Sequence, residues 1–250
     1  MDTIRINAII LALAILPVIA LMIYVYKSDK YEKEPIGMLI KAFLLGVVSI
    51  PLALCCDEIF AEMLPGKTVF FEAFFQAGIP EELAKWGLFM LVIWKNKNFN
   101  EFFDGIVYAS FIGLGFACVE NIMYVFDNET FSSAIHTGVM RALLSVPGHF
   151  LFAVIMGYYF GLAKFKEKGK FKFLIFSILF PILAHGMFDY MLMLSSAFAE
   201  QNVEWLGLLL YVLFIYLDIK LWKICLKHIR KMQEESRIEH NNDIFKKIFG

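Results

Sequence analysis

Long apolar runs alternate with short polar stretches along almost the whole chain. Seven runs approach or exceed the ~20 mostly apolar residues that a bilayer span requires: about 5–26, 36–56, 70–94, 102–126, 140–163, 171–196 and 203–226. Each is bounded by charged residues or turn formers, and the loops between them are short. The pattern predicts an all-α, polytopic membrane bundle of about seven transmembrane helices. Residues 1–226 would form a single multi-pass domain and 227–250 a basic cytoplasmic tail. Composition supports this class, since 60% of the residues are hydrophobic and only 19% charged, far from a soluble domain.

Net charge is −1, which by itself says nothing about nucleic acid; no nucleic-acid partner is expected, and the distribution of charge is more informative than the sum. Nineteen lysines and arginines fall in one alternating set of loops and in the tail, against three (Arg5, Lys67, Arg141) in the other, with Lys85 inside a span. By the positive-inside rule the N-terminus lies outside and the C-terminus in the cytoplasm. The first run is too long for a secretory h-region and lacks a small-residue cleavage site, so it reads as a retained helix. Cys55, Cys56, Cys118 and Cys225 match no zinc or disulfide framework and read as apolar helix residues.

Ionisable residues inside the spans carry the chemistry. A charge at the bilayer centre costs roughly 2.5–3.5 kcal/mol on insertion scales, so such a residue marks a functional site by default. The third span holds Gly78-Ile79-Pro80-Glu81-Glu82-Leu83-Ala84-Lys85. Pro80 suits the first turn of a helix, which predicts a break at 78–80, with 68–78 a separate amphipathic or re-entrant piece. A helix N-terminus there would favour ionised Glu81 and Glu82, and Lys85 is i+4 and i+3 from them. The fourth span holds Glu120 and Asn121, the fifth His149, and the sixth His185 and Asp189, which share a face at i,i+4.

At 1.5 Å per residue, Glu120 lies roughly 9 Å, His149 roughly 13 Å, and His185 and Glu81 roughly 16 Å from the outer ends of their spans. Four helices therefore put acids and histidines in one layer of the outer half. Gly157 and Gly161 read as a packing face. His136, His228 and His240 read as solvated loop and tail residues, and Asp57, Glu58, Glu62 and Glu72 as outer-surface acids.

Histidines and carboxylates from separate helices can form a zinc site with a position left for water, here Glu120, His149 and His185. They can equally activate water without metal, with Asn121 polarising a carbonyl as oxyanion donor. Asp189 is either a ligand or the group that orients His185. Which of Glu81 and Glu82 faces the cavity is open, because adjacent helical residues point about 100° apart. The competing reading is a transporter or proton pathway through the same Glu/His/Asp cluster.

The motifs Glu81-Glu82-x-x-Lys85, Phe116-x-x-x-Glu120-Asn121, His149 with Gly157 eight residues on, and His185-x-x-x-Asp189 resemble those of the PrsW family of intramembrane proteases. The segment Asp29-Lys30-Tyr31-Glu32-Lys33-Glu34-Pro35 is similar to that family's Asp-x-Tyr-Glu-x-Glu-Pro signature. The resemblance runs from about residue 20 to 195. It extends to the wider group that includes type II CAAX prenyl endopeptidases and bacterial CPBP proteins. It implies a metallopeptidase-like protease of the bacterial plasma membrane whose catalytic set is Glu81, Glu82, Lys85, Glu120, Asn121, His149, His185 and Asp189. It also implies site-1 cleavage of a single-pass anti-sigma factor on the extracytoplasmic side.

Overall fold

The computed structural model describes residues 3–63, 68–201 and 203–249; Lys67 lies outside them. The described residues contain helices and connecting turns and no strand. The helices are α1 (Thr3–Ser28), α2 (Ile36–Met63), α3 (69–93), α4 (Asp104–Phe126), α5 (Phe131–Leu143), α6 (Ser145–Phe165), α7 (Lys170–Glu200) and α8 (Glu204–Phe249). Five stretches among them are long and apolar enough to cross a bilayer: Arg5–Ser28, Ile36–Glu62, Asp104–Phe126, Phe131–Phe165 and Lys170–Glu200. The expected third span is α3, whose helix alternates between α and π register. The expected seventh is the first half of α8.

Helix α4 is the axis of the bundle. From Asp104 to Cys118 every side chain is buried, as a helix apolar on all faces must be. Close contact on two sides explains its glycines. A Cβ on Gly157 of α6 would run into the Gly105 carbonyl, and one on Gly115 into the Phe43 carbonyl of α2. Gly157 and Gly161 thus do form the expected packing face, against the start of α4. Small residues at crossings let backbones approach where no hydrophobic force pulls helices together.

The predicted break at 78–80 does not occur. Gly78 and Ile79 both have right-handed helical dihedrals, and α3 runs on through Pro80. Residues Glu72–Gly78 adopt π register, and the Ile79 N–H bonds to the Phe74 carbonyl. The wider turn absorbs a proline that in α register would clash with the carbonyl four residues back. No free helix N-terminus therefore faces Glu81 and Glu82, and no helix dipole favours their ionisation.

The segment 227–249 is no free tail. It continues α8 without interruption and packs beneath the bundle, with Met232 and Ser236 buried. The Phe103 N–H donates to Ser236 Oγ at 3.1 Å, and Gln233 Nε2 donates to the Ser28 carbonyl at 2.5 Å. His228 is not solvated as expected. Its ring stacks on Tyr158 at 3.8 Å, and its Nδ1 is buried without a hydrogen-bond partner among the described residues. All four cysteines are free.

The Asp29–Pro35 signature builds a buried acidic junction. Asp29, Glu34, Glu101 and Asp104 are all buried, Tyr108 donates to Glu34, and the Glu34 N–H donates to Asp29. Burial pushes Asp29 up to about 6, and Glu34 and Glu101 to about 8, with neighbouring carboxylates adding to the last two. Here the folded protein holds protons that an unfolded chain releases near pH 4.3, so this contribution to stability declines as pH rises above that value. The decline is complete once pH passes the folded values of about 8. Glu101→Gln, which cannot ionise, should therefore gain thermal stability over the parent at about pH 9 and gain far less at about pH 6. Melting curves at the two pH values test this, and a pH-independent difference would contradict it.

Candidate active site

Helix α3 presents its motif to the bundle interior because α3 and α7 cross closely at Gly78 and Gly186. A Cβ on Gly78 would lie 3.0 Å from the Gly186 nitrogen. That approach brings His185, the neighbour of Gly186, against the carboxylate pair. His185 Nδ1 lies 3.0 Å from Glu82 Oε1, and its Nε2 lies 3.3 Å from Asp189 Oδ2 and 3.8 Å from Glu81 Oε2. The imidazole also stacks on Phe152, with ring centroids 4.7 Å apart.

Lys85 occupies the centre. Its Nζ donates to Glu82 Oε1 at 2.8 Å and to Glu81 Oε2 at 3.2 Å, and it sits 3.3 Å from His149 Nδ1. The Phe116 ring closes the remaining side, 3.9 Å from the ammonium. An ammonium has only donors, so the Nδ1 of His149 accepts from Lys85 and its Nε2–H donates to Glu120 Oε2 at 2.8 Å. The neighbours thus select the tautomer of His149.

The two glutamates are no longer equivalent. Glu82 is 1% exposed and is held by Lys85 and His185, whereas Glu81 is 14% exposed and lines a cavity of about 460 Å³. His149, His185, Asp189 and Glu120 line the same cavity. Glu81, Glu82, Lys85, Glu120, His149, His185 and Asp189, from α3, α4, α6 and α7, therefore meet in one place, as their shared depth in the spans implied.

Asn121 does not join them. Its Nδ2 donates to the Ala14 carbonyl at 2.8 Å and its Oδ1 accepts from Arg141 Nε at 2.9 Å. Both ends of the amide are used to tie α1 and α5 to α4, so the expected role as oxyanion donor gives way to a structural one.

Arg141, which sequence reasoning placed with the outer-surface charges, belongs beside the site. It donates from Nη2 to Glu120 Oε2 at 2.5 Å and stacks over Tyr124 at 4.1 Å. Its partner is 21 residues away in sequence, and the turn that carries it inward follows Phe126, so no local spacing signals the pair. Asp57 and Glu72, also expected on the outer surface, line cavities at the cluster.

The expected metal triad of Glu120, His149 and His185 is also regrouped. One ligand atom from each of Glu81, Glu82, His149 and His185 lies within 4.8 Å of the others. Two carboxylates and two imidazoles are zinc-type donors, so the residues fit a metal. Glu120 instead orients His149 through the ring nitrogen that no metal would use, the arrangement typical of a ligand's supporting carboxylate. The Lys85 ammonium hydrogen-bonds three of those four side chains, so a bound ion would displace it.

Arg141→Ala should release Glu120 and, with it, the orientation of His149. We expect activity to fall about 10–100-fold, the usual cost of losing an outer support, with partial recovery in Arg141→Lys. Turnover of the two variants at matched expression checks this, and full activity in Arg141→Ala would contradict it.

A sequence model of PrsW family intramembrane metalloproteases matches residues 34–217. Protease PrsW of Oceanobacillus iheyensis is 37% identical over 207 residues, covering 83% of this chain and 93% of that protein. Protease PrsW of Clostridioides difficile is 34% identical over 230 residues, covering 90% and 92%, and that of Bacillus subtilis is 37% identical over 184 residues, covering 73% and 82%. No solved structure matches the chain significantly.

Proposed function

The chain belongs to the PrsW family of intramembrane metalloproteases, and from that premise we propose that it hydrolyses a peptide bond in a single-pass membrane protein, with Glu81 as general base. It is a membrane protease and a multi-pass bacterial membrane protein. The proton-pathway alternative yields to that membership. The observation that carries the specific reading is Glu81 itself, the one member of the carboxylate pair that reaches the cavity.

Glu81 takes a proton from water as the water oxygen attacks the scissile carbonyl, then returns it to the departing amine. Glu82 stays buried and fixes two donors, Lys85 Nζ and His185 Nδ1–H. The His185 Nε2–H, which lines the cavity, is the group placed to balance the developing oxyanion, while the Lys85 ammonium holds Glu81, Glu82 and His149 in place. Asp189 holds His185 from the cavity side, and Glu120 with Arg141 holds His149. If a metal is held, we propose zinc bound by Glu82, His149 and His185 of the four-donor set, with a position left for water and Glu81 beside it as base. Zinc would supply Lewis acidity and lower the pKa of bound water.

The lysine distribution supports an outward N-terminus and a site in the extracytoplasmic half of the membrane. With the family resemblance, it supports an anti-sigma factor as the substrate, cut at its first site. The test is cleavage of a reconstituted single-pass anti-sigma factor by purified protein, with and without chelator. Loss on chelation and recovery with zinc supports the metal form, and indifference supports the metal-free form. Failure to cut this substrate while cutting other single-pass proteins would overturn the anti-sigma assignment.

A further inference from the structure

The carboxylate pair stands at the junction of two chambers. The reactive chamber, toward α6 and α7, holds His149, His185 and Asp189. A second chamber of about 520 Å³ opens between α2, α3 and α4. The two share Gln76, Ala77, Glu81, Glu120 and Tyr124 along their border. A peptide whose scissile carbonyl sits at Glu81 must extend both ways from it, and the two chambers provide the two directions.

The second chamber is apolar along its length and acidic toward its end. Ile50, Ala53, Leu54 and Phe116 form walls suited to a methylene stem. Four carboxylates reach it, namely Asp57, Glu81, Glu120 and Asp127, and no lysine or arginine lines it among the described residues. Glu81 is paired with Lys85, and Glu120 with Arg141 and His149. Asp57 and Asp127 have no ion pair among the described residues. One Asp57 oxygen, Oδ1, is buried with no hydrogen-bond partner there, while the carboxylate is also within reach of the Gln76 amide. A carboxylate that lines an apolar-walled chamber without a countercharge is placed to receive a cationic side chain entering along that wall.

We infer that this chamber is a specificity subsite for a lysine or arginine of the substrate, with its stem against Ile50, Ala53 and Leu54 and its charge at Asp57. The inference rests on the protease reading, since it takes Glu81 as the point where the scissile bond is held. It names Asp57 as a specificity-determining residue and gives the substrate a chemical property: a basic residue near the cut.

The test separates binding from cleavage. The scissile bond of a single-pass peptide is mapped, and a set is made with Lys, Met or Glu at each of the positions flanking it. Binding of the set is measured to the Glu81→Gln protein and cleavage to the parent. At one flanking position Lys should bind at least about tenfold more tightly than Met, and Glu more weakly still. Asp57→Asn in the same background should erase the Lys advantage, and Asp57→Lys should reverse it in favour of Glu. The Met peptide, which does not use the carboxylate, reports whether each variant still folds and binds. Equal affinity for all three peptides at every position, or a Lys preference that survives both substitutions, overturns the inference. Selective binding without cleavage would uphold the subsite and fault the proposed chemistry instead.

Discussion

Replacing Glu81 by glutamine should lower peptide-bond cleavage by about 10²–10⁴-fold, the range for loss of a general base, while the protein folds as before. The substitution keeps the size of the side chain and its reach into the cavity, and it leaves Glu82 as the buried partner of Lys85 and His185. Glu82→Gln is a different experiment. Glu82 is almost fully buried between two donors, so its loss should reduce thermal stability as well as rate. Single-turnover cleavage and melting temperature, measured together on both variants, distinguish the roles. An active Glu81→Gln protein would remove Glu81 from the chemistry and with it the assignment of the two glutamates.

Lys85→Met should be the most destabilising substitution at the site when no metal is bound. The ammonium lies within 3.3 Å of Glu81, Glu82 and His149 and is itself buried. Removing one partner of a buried ion pair leaves the other uncompensated and costs about 3–5 kcal/mol. Methionine keeps an unbranched apolar stem of similar length and loses the ammonium over the Phe116 ring, so the effect isolates the charge. Zinc can replace that charge only if it enters the donor set now occupied by Lys85. Adding zinc should then restore the melting temperature of Lys85→Met far more than it raises that of the parent, in which the ammonium competes for the ligands. Chelator-treated Lys85→Met melting at the parent's temperature would show that Lys85 is not the countercharge. A variant that stays destabilised in saturating zinc would show that this donor set does not hold the ion.

Local features of the chain were legible because their energetics are local. Hydrocarbon thickness sets the length of an apolar run, so the five long apolar helices follow from hydropathy. Glu81, Glu82 and Lys85 meet because i,i+3 and i,i+4 residues share a helix face, and the same rule pairs His185 with Asp189. Convergence of four helices followed from depth, since a polar residue in lipid must find partners in its own layer. Register was the exception: Pro80 marks a helix start in most contexts. Here the π turn at Glu72–Gly78, packed against α7 at Gly186, keeps the helix continuous.

Tertiary structure decided which polar groups face one another. Arg141 reaches Glu120 because α5 folds back over the end of α4, and Asn121 is occupied because α1 offers the Ala14 carbonyl. Asp57 lines a chamber only because α2 lies against α3, and α8 carries the 227–249 segment under the bundle because Met232 and Ser236 find a buried surface there. The sequence by itself therefore determined the membrane class, the long apolar helices and the seven ionisable residues of the site, but not the separate helix Phe131–Leu143. Only the packing determined that Glu81 faces the cavity, that Glu82 is its buried support, and that Lys85 stands where a metal would bind. Those assignments depend on contacts between residues up to about a hundred positions apart. A one-dimensional pattern of polarity records the cost of burying each group, but not the identity of the partner that offsets it.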